Sequence, residues 1–220
     1  MARVNRARRA EIGREKRERT RAQLIGAAKS LLTERPMEAV TVDEVVTAAA
    51  VAKGTFYYHF KDLEELAAAV ANELAHGFDT LIHPCLLVLS DPLERIAGGL
   101  MAFLDKAVAD VCWGRLVLNA PGPPELGRSV RENLIADLTA ARQLGTLGLD
   151  DVELAADLVI GIWREVTRAI VEDRLAMGGV DVACAAMLRA LGLTRSQALA
   201  LTARVRRKAI ELCANQPAGT

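Results

Sequence analysis

Twenty-six residues, "TVDEVVTAAAVAKGTFYYHFKDLEEL" from Thr41 to Leu66, constrain this 220-residue chain more than any other segment. Thr41 and Glu44 have the spacing of a capping box, in which the hydroxyl accepts the third helical N–H and the carboxylate reaches back to the cap. Asp62 and Glu65 repeat the arrangement. Between them a short helix, about Val42 to Ala49, gives way to a three-residue break at "AAV" and then to a second short helix. A longer apolar stripe precedes them in "RTRAQLIGAAKSLLTER", where Leu24, Ala28, Leu31 and Leu32 share a face until Pro36 stops the helix. Two short helices joined by a tight turn behind a supporting helix make a helix-turn-helix, whose second member enters the DNA major groove.

That second helix carries an unusual cargo. "VAKGTFYYHF" holds both tyrosines of the chain, two of its four phenylalanines and one of its three histidines. At about 100° per residue, Ala52, Phe56 and Phe60 fall on one face, which assigns both phenylalanines to the core. Gly54, Thr55 and Tyr58 lie opposite, flanked by Lys53, Tyr57 and His59. Lys53 suits a guanine edge or a phosphate, Thr55 a base or a thymine methyl, and Gly54 close backbone approach. Tyr57, Tyr58 and His59 suit phosphate oxygens and sugars, contacts that fix register more than sequence. With Thr41 and Lys61 these residues form the expected DNA-binding set. The competing reading, ordinary core aromatics, fits Phe56 and Phe60 but not the tyrosines.

Charge supports the same end of the chain. The formal net charge is zero, yet residues 1–35 hold eleven Lys or Arg against four Glu, a balance of +7 that the remainder must cancel. A polyanionic partner at the amino-terminal end accounts for this, and so does a merely solvated basic tail. The expected division is a basic arm over 1–19, a helix-turn-helix domain over 20–75 and a larger helical domain over 76–220.

The remainder reads as helix throughout, so the fold class is all-α. Apolar residues make up 51% of the chain, which argues against disorder, and no two-residue alternation argues for strands. Asp91 and Pro92 mark an N-cap and first helical position. "NAPGPPELG", 119–127, is a loop on its prolines. Helices follow near 129–144, from about 151 to 177, and, after Gly178 and Gly179, over "VDVACAAMLRALG". Thr194 and Gln197 cap a last one reaching Leu212. In the 151–177 helix, Leu154, Leu158, Ile162 and Val166 form one apolar row, and Ala155, Val159, Trp163 and Ile170 widen it. Two apolar faces call for two neighbours: the chain's own core and a second copy, or else a central position in a single core.

The Thr41–Leu66 segment resembles the DNA-binding domain of the tetracycline-repressor (TetR) family of bacterial transcriptional regulators, whose pattern is T-x-x-x-[IV]-[AV]-x-x-A-G-V-S-x-G-T-[FL]-Y-x-[HY]-F-x-[SND]-K-E-E-L. The likeness extends over about residues 16–75. It implies a sequence-specific transcriptional regulator, a repressor, that acts as a homodimer on a palindromic double-stranded DNA operator, paired through the helices at about 151–177 and 180–212. It also implies an apolar cavity within 77–212 for a small effector, whose binding tilts the fourth helix and releases DNA. Phe103, Trp113 and Trp163 are the candidate ligand residues, with plain core packing as the competing role for each. Three departures stand out. Ala50 replaces the usual turn Gly, at a cost of ~1–2 kcal/mol if the position is left-handed. Ala52 replaces the Ser N-cap, forfeiting ~1 kcal/mol. Leu63 replaces a phosphate-gripping Lys. The basic arm, Arg3 to Arg21, could offset both lost phosphate contacts through counterion release or minor-groove contacts.

Other classes find less support. There is no G-x-S-x-G elbow, phosphate-binding glycine loop or H-E-x-x-H, so neither catalytic residues nor cofactors are expected. Gly98 and Gly99 read as close-packing positions within a helix. His83 and Cys85, near His76, lack a ligand spacing, and no metal site is expected. An all-helical enzyme domain fused to a DNA-binding head, and a DNA binder of this fold without an effector, remain the alternatives. Four scattered cysteines suggest reduced, buried thiols; with no apolar leader and no membrane-length apolar run, the expected location is the cytoplasm.

Overall fold

The computed structural model describes residues 2–86, 89–120, 128–175 and 178–215, and every element in them is helical. The first helix, α1 (Ala2–Leu32), is followed by a single 3-10 turn (Met37–Ala39), α2 (Val42–Ala48), α3 (Lys53–His59) and α4 (Leu63–Leu86). Then come α5 (Pro92–Ala109), α6 (Val111–Asn119), α7 (Arg128–Gln143), α8 (Val152–Val171), α9 (Gly179–Ala190) and α10 (Arg195–Asn215).

The amino-terminal unit packs as its sequence pattern requires. Leu24, Ile25, Ala28 and Leu32 of α1 are buried against Val45 of α2, Phe56 and Phe60 around α3, and Leu66 and Val70 of α4. The Thr41–Glu44 capping box is complete: the Thr41 hydroxyl accepts the Glu44 N–H at 3.4 Å, and the Thr41 N–H donates to the Glu44 carboxylate at 2.9 Å. At α4 the expected box is altered. Asp62 accepts the Glu65 N–H at 2.9 Å, but Glu65 accepts in return from the N–H of Lys61 rather than of Asp62.

Three boundaries differ from the sequence reading. The arm expected to precede the first helix is itself helical, and α1 passes residue 19 without a break. The sequence marks a helix start at Asp91 but no break before 119; the chain turns at Asp110, which closes α5 and whose carboxylate accepts the Trp113 N–H at 3.0 Å to open α6. The helix expected to reach 177 ends at Val171. There Asp173 adopts a left-handed φ of 55°, and the Arg174 N–H reaches back to the Ala169 carbonyl at 2.8 Å. An Asp in this conformation ends a helix as glycine does, without the glycine that would have announced it. Residues 121–127 of the proline-rich segment lie outside the described residues.

In the larger helical domain, α5 runs centrally. Leu100, Leu104 and Ala107 are buried with Leu138 of α7, Ala155 and Ala156 of α8, and Met187 and Leu188 of α9. Gly98 is a close-packing position, since an added Cβ would lie 2.9 Å from Leu89 Cδ1, whereas Gly99 has room. Charge closes the outer side: Glu94, almost fully buried, holds Arg204 at 2.5 Å and Lys208 at 2.6 Å, tying α5 to α10.

The two units share one interior. Phe103, Leu116, Val117 and Ala120 belong to the same buried cluster as the helix-turn-helix core, and α4 crosses the residue 75/76 position unbroken. Asn119, at the end of α6, donates to the Leu32 carbonyl at 2.9 Å and so satisfies an orphan acceptor at the carboxyl end of α1.

Candidate nucleic-acid interface

The turn between α2 and α3 sets the pose of α3. Ala49 closes α2, Ala50 follows at φ 54°, and two back-bonds lock the reversal: Ala50 N–H to Thr47 carbonyl at 3.2 Å, Val51 N–H to Val46 carbonyl at 3.0 Å. This is the Schellman arrangement, with alanine where glycine would relax the backbone. The anticipated left-handed position is therefore present. Ala52 occupies the N-cap of α3 and supplies no side-chain bond, also as anticipated.

Helix α3 is divided cleanly. Phe56 and Phe60 are 0% and 1% exposed, whereas Tyr57 and Tyr58 are 54% and 65% exposed, which separates anchors from outward groups. Lys53 is exposed and pairs with Asp43 of α2 at 2.7 Å, an ion pair that raises its pKa. Gly54 faces open space, with nothing within 4 Å of where a Cβ would stand. Thr55 is half-buried. His59 is half-buried, edge-on to Tyr58 with ring centroids 5.1 Å apart. Burial, then the nearby Arg21 and Arg17 charges, holds the His59 imidazole below its ordinary pKa, so near neutral pH it is an uncharged donor and acceptor. Lys61 is exposed, 3.8 Å from Asp62. Thr41 is exposed on α2 with its hydroxyl engaged in the cap.

Residues that the sequence reading did not single out join this surface. Asp43 restrains Lys53. Arg17 lies with its guanidinium 3.5 Å from the Tyr58 hydroxyl, and Arg21 stands 4.9 Å over the Phe60 ring. Their positions within a basic stretch were visible in the sequence; their approach to α3 was not.

The three candidate ligand residues come together from α5, α6 and α8. Phe103 has ring-centroid distances of 4.5 Å to both Trp113 and Trp163. Both indoles pack against the helix-turn-helix core and the larger core alike. The buried indole N–H of Trp163 has no hydrogen-bond partner. Among the described residues no cluster of His, Cys, Asp or Glu could hold a metal, and the side chains of His83 and Cys85 lie outside them. Nor, among those residues, is any helix long and apolar enough to cross a membrane.

Comparison with known proteins bears on both regions. Residues 24–70 match the family described as bacterial regulatory proteins, tetR family. The chain is 27% identical over 82 residues to the HTH-type transcriptional repressor KstR2 of Mycolicibacterium smegmatis, covering 37% of this chain and 40% of that protein. It is 29% identical over 101 residues to the HTH-type transcriptional activator FasR of the same species, 46% of each chain. The matches to these curated relatives thus span less than half of their length. The crystal structure of RolR in complex with resorcinol superposes with a TM-score of 0.67 at 31% identity, over 86% of this chain and 96% of RolR.

Proposed function

Because this chain belongs to the tetR family of bacterial regulatory proteins, we propose that it is a transcriptional regulator whose α3 reads a palindromic operator and which a small apolar effector releases from DNA. One observation carries the DNA half. The seven-residue α3 and its C-cap bury Phe56 and Phe60 while turning Lys53, Gly54, Tyr57 and Tyr58 outward. A monomer gains nothing by exposing two tyrosines beside a lysine and a glycine, and a duplex offers the phosphates and base edges that those groups suit. The protein needs no catalytic residue for this role, and it acts in the cytoplasm where its operator is.

Reading a palindrome requires two copies with recognition helices about 34 Å apart. On α8, Leu154 and Leu158 are exposed by 49% and 36%, and on α10 Leu199 by 51%, so apolar side chains within the two segments expected at an interface lack cover. These faces are our candidate dimer contact. Leu154→Glu with Leu158→Glu should convert a dimer into monomers in sedimentation velocity with unchanged helicity; a variant that stays dimeric moves the interface elsewhere.

The effector half rests on Phe103, Trp113 and Trp163. A ligand wedged at their rings would push on both cores at once, since α6 also caps α1 through Asn119. The unpartnered Trp163 N–H suits an effector carrying an acceptor oxygen, and the resorcinol bound by RolR is of that class. Effector coupling of ~1–3 kcal/mol would change operator affinity about 5–150-fold. The test is selection of a duplex from random-sequence DNA by the purified protein, followed by a screen of small phenols and other oxygenated apolar compounds for release. Failure to enrich any sequence refutes the operator reading, and enrichment without release by any compound class refutes the effector reading alone.

A further inference from the structure

We propose that α1 contributes a second DNA contact, a cationic strip formed by Arg14, Arg17 and Arg21 that lies along the sugar-phosphate backbone beside the groove entered by α3. The inference rests on the operator-binding reading above and extends its surface.

Burial on α1 begins only at Leu24. Residues 11–23 are exposed except for the half-buried Gly13 and Thr20, so about 20 Å of this helix stands clear of the core. Apolar packing does not explain a helix there, because Ile12, 56% exposed, is the one large apolar side chain in that stretch. Its charges, however, are sorted. Taking Arg17 as the origin, at about 100° per residue Arg21 falls near 40° and Arg14 near 60°. Glu18, Glu11 and Glu15 fall near 100°, 120° and 160°. A strip about 120° wide therefore carries three guanidinium groups with Gly13 and Thr20 and no carboxylate, and the acids are collected on the adjoining side.

Two contacts fix where that strip points. The Arg17 guanidinium lies 3.5 Å from the Tyr58 hydroxyl, and that of Arg21 lies over the Phe60 ring at 4.9 Å. Tyr58 lies on the outward face of α3 and the buried Phe60 is its C-cap, so the strip passes the carboxyl end of α3, with Arg17 meeting the outward face. Arg14 leans only weakly on Glu18, at 4.0 Å with both side chains exposed, and remains available to a stronger anion.

The helical form also selects the mode of contact. A B-DNA minor groove is about 6 Å wide, while an α-helix with its side chains measures about 10–12 Å across. The arm therefore does not thread the minor groove as an extended tail would; it meets phosphates with guanidinium forks, which pair with them bidentately. This contact stands in for the phosphate grips lost at Ala52 and Leu63.

The test compares two charge-matched variants of the full-length protein, Arg14→Gln with Arg17→Gln and Lys16→Gln with Arg19→Gln, on the duplex selected by the unaltered protein. Lys16 and Arg19 lie outside the strip, near −100° and −160°. Binding is measured from 50 to 200 mM KCl. The strip variant should flatten the log–log salt slope by about 0.9 per lost contact, about two contacts per subunit and four per dimer, making the dimer's affinity roughly 100-fold less salt-sensitive over that range. The off-strip variant should keep the original slope, and circular dichroism should be unchanged in both. Equal slope changes in the two variants overturn the proposal in favour of general charge, and no change in either overturns it outright. Loss of binding to phosphatidylglycerol vesicles in the strip variant, with duplex slopes unaltered, overturns it in favour of a lipid surface. Because the duplex is chosen by the unaltered protein beforehand, each of these results leaves the operator reading standing.

Discussion

Replacing Ala50 by glycine isolates the energetics of the turn that aims the recognition helix. Ala50 sits at φ 54° between two back-bonds and is exposed. A left-handed alanine costs about 1–2 kcal/mol because its Cβ crowds the following carbonyl. Glycine removes that crowding but gives the unfolded chain more freedom, at about 0.5–1 kcal/mol. The difference leaves Ala50→Gly more stable by about 0.5–1 kcal/mol, which for a chain of this size is about 1–4 °C in melting temperature. Ala50→Val should move the other way and further, since a β-branched residue tolerates positive φ worst. Thermal and urea denaturation followed by circular dichroism measure both, and amide exchange at Ala50 and Val51 reports whether the back-bonds tighten. Operator affinity should stay nearly constant, because no group on the outward face of α3 changes. A glycine variant less stable than the parent, or a valine variant as stable, would refute the strain at this position and with it the pose assigned to the turn.

Other outcomes follow from single groups. Tyr57→Ala and Lys53→Ala should each abolish operator binding while helicity and oligomeric state persist; unfolding in either would show that the exposed face is structural. Glu94 feels burial, which raises its pKa, but Lys208 and Arg204 outweigh that and leave it below its ordinary value. Its stabilising contribution is thus present above the unfolded carboxylate pKa of about 4.3 and is lost as the pH falls through the lower folded value. Glu94→Gln should therefore cost about 1–2 kcal/mol at neutral pH, less than a fully buried pair because both cations are partly exposed, and should cost little in acid. A pH-independent penalty would assign the role of Glu94 to packing. Contrary to the expectation of buried thiols, Cys112 is exposed, whereas Cys184 is buried and its pKa is pushed up to about 11. Alkylation at pH 8 with peptide mapping should label Cys112 quickly and Cys184 only on unfolding; equal rates would contradict that contrast.

Much of this molecule is local chemistry and was legible from residue order. The caps at Thr41, Asp91 and Thr194, the split of α3 into anchors and outward groups, and the strained alanine in the turn each depend on side chains within a few positions of one another. Such short-range geometry is fixed by helix periodicity and hydrogen-bond reach, which the sequence states directly. The end of α8 at Val171 carries no such local signal, because Asp173 takes the left-handed role that glycine usually advertises.

What the sequence could not supply is pairing over distance. Arg17 and Tyr58 are 41 positions apart, and Phe103 and Trp163 are 60 apart; only the crossing of α1 over α3, and of α5 with α8, decides that they meet. The basic arm could be counted in the sequence, but its direction depends on α1 continuing as one rigid helix from a buried anchor at Leu24. Likewise, a boundary at residue 75 follows from motif length, yet the two units share an interior because Phe103, Leu116 and Val117 bury their surface against the helix-turn-helix core. Burial of apolar area is nondirectional, so its gain can be realised by many pairings, and the packed structure alone selects one.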